Sequence, residues 1–300
     1  MGYDRIRIKN RAKDIVRQAS PRPWGVTLFL WFLLADLVAL CLLLLMATGF
    51  FSVPTGGHPP LLSSLLGVAL GVGLFLLALV LHGGYVTYTL QLWRQERSAG
   101  FADLLLGFFS ASQILELWFQ LVLYTACWAL PGVAVLEWLR RLADAPAPAP
   151  ALVWVLPAGK ILFALYMLER VSRYALALLC LMDKPEAGAR QAIDRSKRLM
   201  AGRRLDLLVF LLSFLGWCLV TALVAGLFFL LGFLFLALIL GMAAQPDLSQ
   251  TPALLLPFYL FGLAAATPML LWLTSYVGAA FAGFYAAATA PPFPGLQPQE

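Results

Sequence analysis

The side chains able to do chemistry are few, and the informative ones stand where charge is expensive. Asp36 lies near the middle of one long apolar run, and Lys160, Glu169, Arg170 and Arg173 stand along another. An ionised group in hydrocarbon costs free energy and commonly marks a solute path, a proton relay or an ion pair. Two readings are open. In the first, Asp36 neutralises Lys160 or Arg170 across a helical bundle, and Glu169 pairs with Arg173 at i,i+4. In the second, these five residues line a polar cavity. Glu116 opens a further run and is expected at an interface, and His82 is expected to be a packing residue.

Other chemistries lack their residues. With only His58 and His82, the chain cannot build a His-rich metal site. It has no H-E-x-x-H motif and no G-x-x-x-x-G-K-[ST] phosphate loop. Cys41, Cys127, Cys180 and Cys218 all lie in apolar runs without C-x-x-C spacing and are expected to act as small hydrophobes. No catalytic residue, metal or cofactor is expected, and the chain is expected not to be an enzyme.

The elements that position these residues follow from composition. Of 300 residues, 62% are hydrophobic and 12% charged, against roughly 25% charged in an ordinary soluble domain. That excludes a soluble enzyme, a disordered chain and a nucleic-acid-binding domain. A helix needs about 20 apolar residues to cross the roughly 30 Å hydrocarbon core. Six runs qualify, at about 25–47, 61–93, 114–138, 151–182, 205–242 and 253–289. The expectation is an all-α polytopic membrane helix bundle over 25–290, preceded by a basic amphipathic segment over 1–24 and followed by a tail over 291–300. The first run follows a polar helix-like stretch and exceeds a signal-peptide core, so it reads as a retained helix. Several runs are long for one straight span, and breaks are expected at Gly83-Gly84, Pro157 and Pro268. An eight-span reading would split the last two runs, which have no polar turn in the middle.

Sixteen basic residues fall in three segments on one side of this layout, and only Arg140 and Arg141 on the other. The positive-inside rule places both termini in the cytoplasm. The opposite loops, FSVPTGGHPP, ADAPAPAPA and AAQPDLSQTP, are short, rich in proline and poor in charge.

Two segments on the basic side read as amphipathic helices. Ile8, Ala12, Ile15, Val16 and Ala19 form one apolar stripe, and Ala189, Ala192, Ile193, Ser196 and Met200 form another within a helix over 186–201. Both are expected to lie in the interface, with their basic faces toward anionic lipid head groups. Asp194 and Arg198 are spaced to pair. Residues 101–112 form a third, more apolar candidate with Asp103 near its start. Each short segment precedes two spans, so the chain reads as three copies of one unit. The returning spans end alike, in GYVTYTLQL, SRYALALL and SYVGAAFAGFY.

The stretch from 173 to 217 carries a family likeness. Its features are Tyr174 and Leu176, then Ala192-Ile193, Ser196, Met200 and Gly202, then Leu212-Ser213-Phe214 with Gly216-Trp217. The closing WLTSYVGAAFAGFY, with Tyr276 and Tyr285, and the opening IKNRAKDIVRQASPRPWG belong to the same pattern, although Ser275 stands where proline is expected. The chain resembles the bacterial integral membrane family catalogued as domain of unknown function number nine hundred and seventy-five. The resemblance implies a multi-pass protein of the bacterial cytoplasmic membrane and implies no reaction. Read physically, these residues are structural. Gly202 suits a helix C-terminus, and Ser213 with Gly216 suits close helix packing in lipid. The functional expectation is a non-enzymatic membrane component that binds lipid or a membrane protein partner, and not nucleic acid. The alternative is a gradient-driven transporter of a small solute or lipid.

Overall fold

A backbone group in hydrocarbon has no water to bond, so apolar runs of this length satisfy themselves as helices. The computed structural model describes residues 5–47, 61–95, 99–143, 152–242 and 251–290, and every element in them is helical. In chain order these are α1 (Arg5–Gln18), α2 (Pro23–Ala47), α3 (Leu61–Arg94), α4 (Asp103–Phe109), α5 (Ala111–Ala143), α6 (Leu152–Ser172), α7 (Ala177–Asp183), a 3₁₀ turn (Pro185–Ala187), α8 (Gly188–Leu199), α9 (Arg204–Leu212), α10 (Leu215–Met242) and α11 (Thr251–Thr289). Among the described residues, five stretches are long and apolar enough to cross a membrane: α2, α3, α5, α9 running into α10, and α11. The chain is a multi-pass membrane protein. Helix α6, which carries Lys160, Glu169 and Arg170, is not among these five. Residues 51–60, 144–150, 243–250 and the tail 291–300 lie outside the described residues.

The long helices pair as neighbours: α2 with α3, α5 with α6, and α10 with α11. Each pair follows a short helix, and each short helix packs on the return limb of another pair. Helix α4 lies on α3, α8 on α7 (which continues α6), and α1 on α11. The core gathers at that end of the bundle, which is also the basic end. Tyr88, Leu181, Ile193, Phe210, Tyr276 and Phe284 are among its fully buried side chains. Away from it the helices are thinly packed, and the most apolar stretch of α5 has no buried residue at all.

Four expectations need correcting. The runs at 151–182 and 205–242 are not single helices. The first breaks at residues 173–176, where the buried Ser196 hydroxyl donates to the freed Arg173 carbonyl at 2.9 Å. The second breaks at 213–214, where Lys9 Nζ donates to the Ser213 carbonyl at 3.2 Å and to its hydroxyl at 3.1 Å. Nor do the expected breaks occur, since α3, α6 and α11 run through Gly83-Gly84, Pro157 and Pro268. Gly84 serves close approach instead: a Cβ there would strike the Leu104 backbone carbonyl, and one on Gly107 would meet Gly84 N at 2.8 Å. The apolar stripes of α1 and α8 are buried as their spacing predicts, with Ile8, Ala12, Ile15 and Val16 in one and Ala189, Ala192, Ile193 and Ser196 in the other. They face protein, however, and not lipid. Finally, Asp194 pairs with Lys197 at 3.0 Å and not with Arg198.

Candidate functional site

Of the five predicted site residues, the fold brings three together and adds a fourth. Glu169 stands in the last turn of α6, and Arg173 in the turn beyond donates to its Oε1 at 2.8 Å. Arg170 Nε lies 3.5 Å from Oε2. Arg204, from the first turn of α9, also bonds Oε1. Arg170 is further held over the rings of Trp128 and Tyr166, 4.3 and 5.1 Å from their centroids. Three guanidiniums thus surround one carboxylate. The Nε atoms of Arg173 and Arg204 are buried and have no acceptor among the described residues. Arg204 and Ser172 line a cavity of about 330 Å³ together with Leu168, Leu207, Leu208, Leu211, Leu212, Leu215 and Cys218. This arrangement can hold an anion beside an apolar tail.

Asp36 and Lys160 are not part of it. Both are exposed, and neither makes an ion pair among the described residues. The expected neutralisation of Asp36 by Lys160 or Arg170 within the bundle is therefore not realised, because Arg170 is taken up by Glu169, Trp128 and Tyr166. His82 is likewise exposed on α3 instead of packed. Glu116 is exposed and accepts from Gln120 at 2.9 Å.

A second polar centre escaped the sequence reading. Asp183, at the end of α7, accepts from Tyr285 Oη at 2.8 Å, from Arg195 at 3.3 Å and from Arg94. Burial alone would raise its pKa. The Tyr285 hydroxyl and the Arg94 and Arg195 guanidiniums outweigh burial and hold it below the usual carboxylate value. Burial pushes the neighbouring Cys180 thiol up to about 11, so it is an inert packing group. One signal was present in the sequence. Arg94, Asp183 and Tyr285 each stand nine positions after the tyrosines Tyr85, Tyr174 and Tyr276 of the three similar helix endings.

The family-motif residues are mostly packing residues at the basic end. Tyr174 stacks on Tyr124 at 6.0 Å, with Lys197 Nζ 5.2 Å from one ring and 5.8 Å from the other. Tyr276 stacks on Trp272, with Lys13 5.9 Å from its centroid. Ile193, Ser196 and Met200 are buried. Gly202 takes a φ of +75° in the turn that ends α8, as expected of a helix C-terminus. Ser275 joins Thr27 and Tyr85 in a buried hydroxyl cluster, its Oγ 2.9 Å from Thr27. Gly216 and Ser213 depart from expectation. A Cβ on Gly216 would meet nothing within 4 Å, so it is not a close-packing residue of this chain, and Ser213 serves Lys9 instead. Trp217 packs on Trp272 at 5.1 Å.

Among the described residues there is no cluster of three or more His, Cys, Asp or Glu that could hold a metal. No curated protein and no solved structure matches the chain. The model of one family, described as protein of unknown function (DUF975), matches residues 1–290, and the chain belongs to that family.

Proposed function

We propose that the protein is a non-enzymatic component of the bacterial cytoplasmic membrane that holds an anionic phospholipid where α6 meets α9 and α10. The observation that carries this reading is the arginine cluster, of which Arg204 also lines a leucine-rich cavity. Glu169 orients the guanidiniums but cancels only one of their three charges. A phosphate would give the buried Nε atoms of Arg173 and Arg204 the acceptors they lack, in the forked geometry that guanidinium favours. From Arg204 to Leu212 helix α9 rises about 12 Å, close to the roughly 15 Å depth of one leaflet. An acyl chain lying along Leu208 and Leu211 therefore starts and ends at suitable depths.

In this reading α6 is a sixth span. Its 21 residues rise about 31 Å, enough to cross. The basic end, with both termini, faces the cytoplasm. The architecture is three units of a short helix and two spans, each short helix clasping the return limb of another unit. A membrane protein partner is the second candidate ligand for the basic outer faces of α1 and α8. The transporter reading draws no support from this cavity, whose lining includes neither Asp36 nor Lys160.

The test is native mass spectrometry of the protein in nanodiscs holding phosphatidylglycerol and phosphatidylethanolamine. Retention of phosphatidylglycerol, lost in Arg173→Gln/Arg204→Gln and in Leu208→Trp, is the expected result. Equal retention of both lipids by the natural protein would overturn the reading.

A further inference from the structure

Asp36 and Lys160 pose a problem that the folded chain does not solve. Asp36 stands thirteen residues along α2 from Pro23 at the basic end, a rise of about 20 Å. Lys160 stands twelve residues before Ser172, where α6 returns to the basic end, a rise of about 18 Å. With α6 taken as a span, as proposed above, the two lie at nearly one depth, within a few ångströms of the middle of the roughly 30 Å core. Both are exposed, they carry opposite charge, and among the described residues neither has an ion-pair partner. Phe32 and Leu40, one turn to either side of Asp36, are exposed and apolar, so α2 offers it no polar shield. Charged groups near the bilayer centre face a cavity or a partner, not lipid. Arg170, the other cation considered for Asp36, is held by Glu169, Trp128 and Tyr166.

We propose that the α2 and α6 faces form a membrane-buried interface between copies of this chain, in which Asp36 of one copy pairs with Lys160 of the next. The chain supplies both halves of the pair at matching depth, so a second copy is the partner whose complementarity is already specified. The contact is a polar one between helices whose other exposed side chains are as apolar as lipid. Polar contacts of this kind, and not apolar area, supply specificity between helices in a bilayer.

The experiment uses two differently tagged full-length chains in which the four native cysteines are replaced by alanine. One carries Asp36→Cys and the other Lys160→Cys. Co-expression and mild oxidation should yield a mixed disulfide-linked dimer, in preference to either like-with-like product. Asp36→Asn should weaken association in nanodiscs roughly three- to twenty-fold, and Asp36→Lys more. Asp36→Lys combined with Lys160→Asp should restore it. A monomeric natural protein in nanodiscs, or no mixed product with Lys160→Cys protected from a membrane-impermeant maleimide, would overturn the pairing. Rapid labelling of Lys160→Cys by that reagent would overturn the sixth span on which the pairing stands. Both positions are exposed, so each variant chain should fold as the natural chain does, with an unchanged helical circular-dichroism spectrum.

Discussion

Asp183→Asn keeps the size of the side chain and removes its charge at the point where α3, α7, α8 and α11 meet. The cost follows from what each partner loses. Tyr285 can still donate to the amide oxygen, so its bond falls from a charge-assisted to a neutral one, a loss of about 1 kcal/mol. Arg94 is 48% exposed and returns to water, which makes its share about 0–1 kcal/mol. Arg195 is 30% exposed and faces an Asp183 that is only 12% exposed, so its bond is the least replaceable and contributes about 1 kcal/mol. The sum is about 2–3 kcal/mol. At the 2–4 °C per kcal/mol typical of domains of 150–250 residues, the melting temperature should fall by about 4–12 °C. The assay is thermal unfolding in detergent followed by tryptophan fluorescence, with Tyr285→Phe completing a double-mutant cycle. The two substitutions should couple by at least about 0.5 kcal/mol, because they share one bond. A melting point within about 1 °C of the natural protein, or strict additivity, would refute the idea that this centre ties the helices together. The pH dependence has a definite sign. The folded-state pKa lies below the ordinary carboxylate value. The contribution is therefore complete above about pH 4 and is lost as pH falls through the folded pKa. The natural protein should lose stability more steeply than Asp183→Asn in that acid range.

Three further outcomes are expected. Gly84→Ala places a methyl against the Leu104 carbonyl, where only backbone can move, and should cost about 2 kcal/mol or more in unfolding experiments. Gly216→Leu extends into open space and should change stability by no more than about 0.5 kcal/mol, so a large loss would point to a contact outside this chain. Lys9→Met removes the two bonds that close the break after α9 and should cost about 1–2 kcal/mol, with faster amide exchange around Phe214 as the specific signature.

Composition and period determined the class, the long helices and the buried stripes of α1 and α8. These rest on local rules: a run of about 20 apolar residues must be helical in lipid, and a stripe at helical spacing must be covered. The Glu169–Arg173 pair was legible for the same reason, since i,i+4 neighbours meet on any helix. What covered the stripes was not legible, because hydrophobic spacing is the same whether the facing surface is lipid or protein. The two helix breaks were hidden too. Proline and glycine mark where a helix is strained, but Ser196 and Lys9 decide where one stops, by bonding carbonyls at Arg173 and Ser213 from distant parts of the chain. Arg204 and Asp183 joined their centres the same way, across 35 and 102 residues in the bonds to Glu169 and Tyr285. Charge in the sequence showed which residues needed a partner. Only tertiary structure decided that Glu169 and Asp183 find theirs within the chain, while Asp36 and Lys160 remain exposed on its surface.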